Sequence, residues 1–108
     1  MRRTPVNLYR MGNAISPRIN HIREKDVELY EKQGELWVAA NSGGISTFAV
    51  LGYGKNWWRL DVGAEILNEL RVVNDHGNHW LWEPIYTMPL EVYEMALRMM
   101  GEQFYKVN

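Results

Sequence analysis

The chain contains no cysteine. That excludes disulfides, thiolate nucleophiles and cysteine-type zinc sites. Such a domain works in either redox compartment. It also unfolds and refolds across a membrane without trapping a wrong bridge. An excess of one charge is missing too, since the formal net charge is −1. No run of Lys or Arg is long enough to track a phosphate backbone, and Arg2-Arg3 is too short for a basic arm, so nucleic acid is not an expected partner. No apolar stretch approaches the span of a bilayer, so no membrane partner is expected either. The first residues lack an apolar segment, and no conventional secretory signal is expected. An exported form would travel by another machine or within a larger parent chain. Internal repeats and low-complexity linkers are absent.

What is present is aromatic. Five tryptophans and six tyrosines stand among 108 residues. They supply a core for one domain, residues 1–108, and also suit a pocket wall or an interface.

Most of the chain reads as short strands. Val6 to Met11 alternates, with Val6, Leu8 and Arg10 on one face. Arg23 to Lys32 is charged, with Val27, Leu29 and Tyr30 as apolar points, and reads as a short helix ending before Gly34. Leu36 to Ala40 is a second strand. Ile45 to Leu51 is a third, turning helical toward its end. Trp57 to Leu60, Leu70 to Val73 and His79 to Glu83 complete the strands, with turns at 52–56 and 74–78. A helix begins at Pro89, a residue suited to the first helical position. Its apolar stripe is Tyr93, Ala96, Leu97, Met100 and Phe104. The expected class is α+β, with two small, mostly antiparallel sheets and few helices.

Four groups of residues bear chemistry. Arg10 shares a face with apolar residues. It is a snorkelling edge residue, half of an ion pair, or an anion clamp for a phosphate or ribose hydroxyls. The segment Gly43-Gly44-Ile45-Ser46-Thr47-Phe48 joins a close-approach turn to a hydroxyl pair. It is not a Gly-x-Ser-x-Gly elbow, and no Gly-Lys makes it a phosphate loop. Ser42, Ser46 and Thr47 therefore read as buttresses of a pocket or of an ordinary turn. His79, Leu81 and Glu83 share a strand face opposite Trp80 and Trp82. Either His79 and Glu83 share an active site, or Glu83 lies in solvent and His79 bonds nearby backbone. Last, His76 and His79 form a His-x-x-His spacing beside Asp75, with His21 elsewhere. No fourth ligand is fixed, so no metal is expected.

Taken in order, Leu8-Tyr9-Arg10, then Leu36-Trp37 running to Gly43-Gly44-Ile45-Ser46-Thr47-Phe48, then Leu70 to Asp75, His79 to Pro84 and Met88 to Tyr93 resemble one family. It is the toxin family of the second type VI secretion exported effector, whose fold is like the ADP-ribosyltransferases. The likeness runs from about Leu8 to the last helix. Gly43, Gly44, Ser46, Phe48, His79 and Pro84 match the family pattern. Ile45 stands where a threonine is usual.

The resemblance implies an NAD-binding cleft between two small sheets, with NAD as substrate. It gives Arg10 as the dinucleotide clamp, Ser46 and Thr47 as the brace, His79 as a wall or ribose contact and Glu83 as the acid. Tyr9, Ser42 and Gly44 join them as dinucleotide contacts. It further implies a toxin acting in the cytosol, reaching a target cell by a secretion system or paired with an antitoxin. A cognate immunity protein would cover the cleft. The rival expectations are a non-catalytic interaction module and a ribonuclease-like toxin using His79 with Glu83 or Asp75.

Overall fold

The computed structural model of the chain describes residues 1–108. In chain order the elements are β1 (Leu8–Met11), β2 (Leu29–Lys32), β3 (Glu35–Val38), β4 (Ile45–Phe48), β5 (Trp57–Leu60), β6 (Leu70–His76), β7 (His79–Pro84), β8 (Met88–Pro89), α1 (Leu90–Gly101) and β9 (Tyr105–Lys106). They form two antiparallel sheets. One runs β6-β7-β4-β1-β5-β9 and the other β2-β3-β8. The class is therefore α+β, with a single helix. No helix is long and apolar enough to cross a membrane.

Helix α1 carries Tyr93, Ala96, Leu97 and Met100 on its buried side. These pack with Leu8, Ile45, Leu60, Leu70 and Trp82 of the large sheet and Val38 and Met88 of the small one. The helix lies against β3, β8 and β6, so both sheets share one core. Pro89 caps the helix from outside, with φ −56° and ψ 141°, instead of occupying its first turn. The helix stops at Gly101, and a turn carries Phe104 back into the core.

The segment 23–32 is not a helix. The Asp26 carboxylate accepts hydrogen bonds from the Arg23 N–H at 2.9 Å and from its guanidinium at 3.1 and 3.2 Å. That closes a turn, and Leu29–Lys32 goes on to pair with β3. Gln33 and Gly34 both have positive φ (54° and 78°), as a two-residue type I′ hairpin requires. The run after Phe48 does not turn helical, and Val50 and Leu51 are exposed there. The β6–β7 hairpin is longer than the expected strands. It closes at Gly77-Asn78, with His76 directly opposite His79. A bulge between Asn74 and His76 interrupts the register.

Two features of the large sheet position the site. Its faces alternate: Ser46, Phe48, His79 and Leu81 look one way, while Ile45, Thr47, Trp80 and Trp82 look toward the core. Strand β1 pairs with β5 at four positions but with β4 at only one, Tyr9 opposite Phe48.

Candidate functional site

Ser46 lies inside β4, one diagonal step across from the first residue of β7. From there its Oγ is 2.8 Å from His79 Nε2. The bulge in β6 brings Asp75 up beside the same ring, with Oδ1 2.6 Å from His79 Nδ1. A carboxylate only accepts, so it holds the proton of a neutral imidazole on Nδ1. That leaves Nε2 to accept from the Ser46 hydroxyl. Three side chains thus form one oriented line: hydroxyl, imidazole, carboxylate. Phe48 packs beside His79 with ring centroids 5.4 Å apart.

Asp75 responds to this setting. Desolvation works to raise its pKa, but the hydrogen bond and charge of His79, with the charge of His76, outweigh it. The carboxyl is held below its ordinary value. A carboxyl lowered in this way stabilises the fold above the ordinary carboxylate range. The contribution is lost as pH falls through the lowered value. In His79→Ala, an NMR titration should find the Asp75 carboxyl moved up toward 3.8. An unmoved titration would mean the bond to His79 does not form in solution.

Arg10 lies on the core-facing side of β1, with Leu8. Its Nη1 donates to the Ser46 carbonyl at 2.7 Å, its Nε to the Pro17 carbonyl at 3.1 Å and its Nη2 to the Arg18 carbonyl at 3.1 Å. No carboxylate forms an ion pair with it. Burial lowers its pKa to about 10, with Asp26 partly opposing. Arg10 also lines a pocket of about 280 Å³ with Met11, Gly12, Arg18, His21 and Arg23. Arg10 and Arg18 make this wall cationic, while Arg23 is paired with Asp26. Arg10 bonds the main-chain carbonyl of Ser46, whose hydroxyl lies on the other face of the sheet.

Sequence reading put other residues in the site as well, and the structure sets several apart. Glu83 is buried rather than in solvent, and its Oε1 accepts from Arg71 Nε at 3.0 Å. Four positions along β7 separate it from His79, roughly 13 Å of strand. Thr47 is fully buried, donating to the Trp80 carbonyl at 3.0 Å and accepting from Trp82 Nε1 at 3.1 Å. Its hydroxyl faces the core, away from Ser46. Ser42 braces the loop before β4, donating to the Ala39 carbonyl at 2.8 Å and accepting from the Glu28 N–H at 2.9 Å. Tyr9 pairs with Phe48 in the sheet, and its hydroxyl accepts from Arg59 at 3.3 Å. Gly44 presses its backbone on β7, where an added Cβ would lie 2.1 Å from the Trp82 carbonyl oxygen.

Arg18, His21 and Arg23 were not legible as pocket residues, because only the turns at 18–26 fold them over Arg10. Asp75 was legible as a turn residue and as a rival partner for His79; its place beside that ring depends on the bulge. No known protein family, curated protein or solved structure matches the chain.

Proposed function

We propose that this chain is an NAD-consuming toxin domain of the kind its sequence resembles, with the Ser46–His79–Asp75 line as its ADP-ribosyltransferase-like centre. One observation carries the reading: the Ser46 hydroxyl, the His79 imidazole and the Asp75 carboxylate form a proton-accepting line, on a strand whose main chain Arg10 holds from the other face of the sheet. The ribose carbon bearing nicotinamide is the reacting atom in this reading, and the line at Ser46 is the group that acts on it.

Nicotinamide leaves with the electrons of its bond to that carbon, and an acceptor hydroxyl or water replaces it. The acceptor's proton goes to Ser46 Oγ as the serine's own proton passes to His79 Nε2. Asp75 balances the resulting imidazolium. The acceptor is a macromolecule or water, giving ADP-ribosyl transfer or NAD hydrolysis. Here Asp75, rather than Glu83, supplies the carboxylate of the site. Glu83, neutralised by Arg71, holds β6 to β7.

A toxin of this type acts in the cytosol and needs a cognate immunity protein. The half-buried Ser46–His79 face and the residues around Arg10 are the surface such a partner would cover.

The test is incubation of the purified chain with NAD labelled in nicotinamide, alongside expression in a bacterium. Nicotinamide release and growth arrest are expected. Intact NAD with cleaved RNA would transfer the His79 line to a ribonuclease. Intact NAD, intact RNA and normal growth would leave a non-catalytic binding module.

A further inference from the structure

His76 has no part in the reading above, yet it completes a second constellation. Donor atoms of Asp75, His76 and His79 all lie within 4.8 Å of one another. The two histidines sit directly opposite each other across the β6–β7 hairpin, with ring centroids 4.9 Å apart. Asp75 divides its carboxylate between them, Oδ1 to His79 Nδ1 at 2.6 Å and Oδ2 to His76 Nδ1 at 3.2 Å. The hairpin backbone thus fixes three donors around a point at its tip.

We infer that Asp75, His76 and His79 form a site for a zinc-type transition-metal ion, and that a bound ion silences His79. Tetrahedral zinc with bonds near 2.0–2.1 Å holds its ligands about 3.3 Å apart. The exposed His76 ring needs only side-chain rotation to reach that spacing, and its exposure leaves an entry path. Two imidazoles and one carboxylate favour zinc, nickel or copper over magnesium or calcium. A fourth position stays open for water.

The consequence for His79 follows from its two nitrogens. An ion on Nδ1 displaces the proton held there by Asp75, and the neutral ring keeps its single proton on Nε2. That nitrogen then donates to Ser46 and no longer accepts from it. The silencing half of the inference rests on the proposed function; the metal site itself does not.

The experiment titrates metal-free protein with zinc chloride by calorimetry. It also follows the three histidine rings by NMR. One ion per chain is expected, moving His76 and His79 but not His21. His76→Ala should weaken binding by at least ~10-fold, and His21→Ala should leave it unchanged. Magnesium should not bind. Equal zinc affinity in wild type and His76→Ala, or a ring shift led by His21, would overturn the site. Turnover of NAD is then measured with and without zinc. Wild type should be inhibited, while His76→Ala should keep its activity at the same zinc concentration. Inhibition that persists in His76→Ala, or a zinc-loaded wild type that works at full rate, would overturn the silencing. If metal-free protein does not turn over NAD at all, the proposed function fails while the binding titration still judges the site.

Discussion

Glutamine in place of His79 is expected to lower NAD turnover by about 100- to 10,000-fold, the usual contribution of a positioned acid–base group. Glutamine keeps a polar group near Asp75 and Ser46, so the β4–β7 contact survives. What it lacks is a nitrogen that takes a proton near neutral pH. Every proton in the proposed step leaves through Nε2, and no other imidazole faces Ser46. His76 is bonded to Asp75 from the other side, and His21 lies in the cationic pocket. The loss should appear in kcat measured from nicotinamide release, with the thermal midpoint near that of wild type. A variant within a few-fold of the wild-type rate would remove His79 from the chemistry and return it to a cross-strand packing role.

Gly44→Ala should cost the fold more than 3 kcal/mol. The added carbon would sit 2.1 Å from the Trp82 carbonyl oxygen, 2.4 Å from its carbon and 2.9 Å from the Glu83 nitrogen. All three are backbone atoms of β7, so no side chain can swing aside. That same carbonyl accepts from the Tyr93 hydroxyl at 2.5 Å, which ties α1 to the sheet. Relieving the clash therefore moves β7 and loosens the helix. Such overpacking with backbone displacement stands at or above the usual ~1–3 kcal/mol. Gly34→Ala is the matched control. An added carbon there meets nothing within 4 Å, and only its φ of 78° is strained, at about 1–2 kcal/mol. Urea denaturation of both variants measures the difference. Equal losses would mean that β7 shifts far enough to take the added carbon, so the close approach does not require glycine at 44.

Much of this architecture was legible because local rules and tertiary packing agree. Trp57–Leu60 and the β7 alternation follow from period-two patterning, and α1 from its apolar stripe. The helix expected at 23–32 failed for a definite reason. Its charged stretch hides a side-chain turn at Asp26 and a hairpin at Gln33-Gly34, both of which outbid weak helix propensity. Of the site, Arg10, Ser46 and His79 could be named from sequence because each interrupts or ends an apolar pattern. Asp75 could be named only as an alternative to Glu83, because a bulge carries no residue signature that would choose between them. Glu83 looked free because its partner Arg71 lies on another strand, at a register that only the folded hairpin sets.

The single pairing between β1 and β4 has a mechanical meaning. Two half-sheets, β6-β7-β4 and β1-β5-β9, meet along a seam stitched mainly by one guanidinium. A ladder resists separation with many bonds in parallel, whereas here the compliance of the whole sheet is concentrated along one line. Widening that line asks no strand to break and leaves each half-sheet rigid. Whatever loosens Arg10 from the Ser46 carbonyl weakens that line.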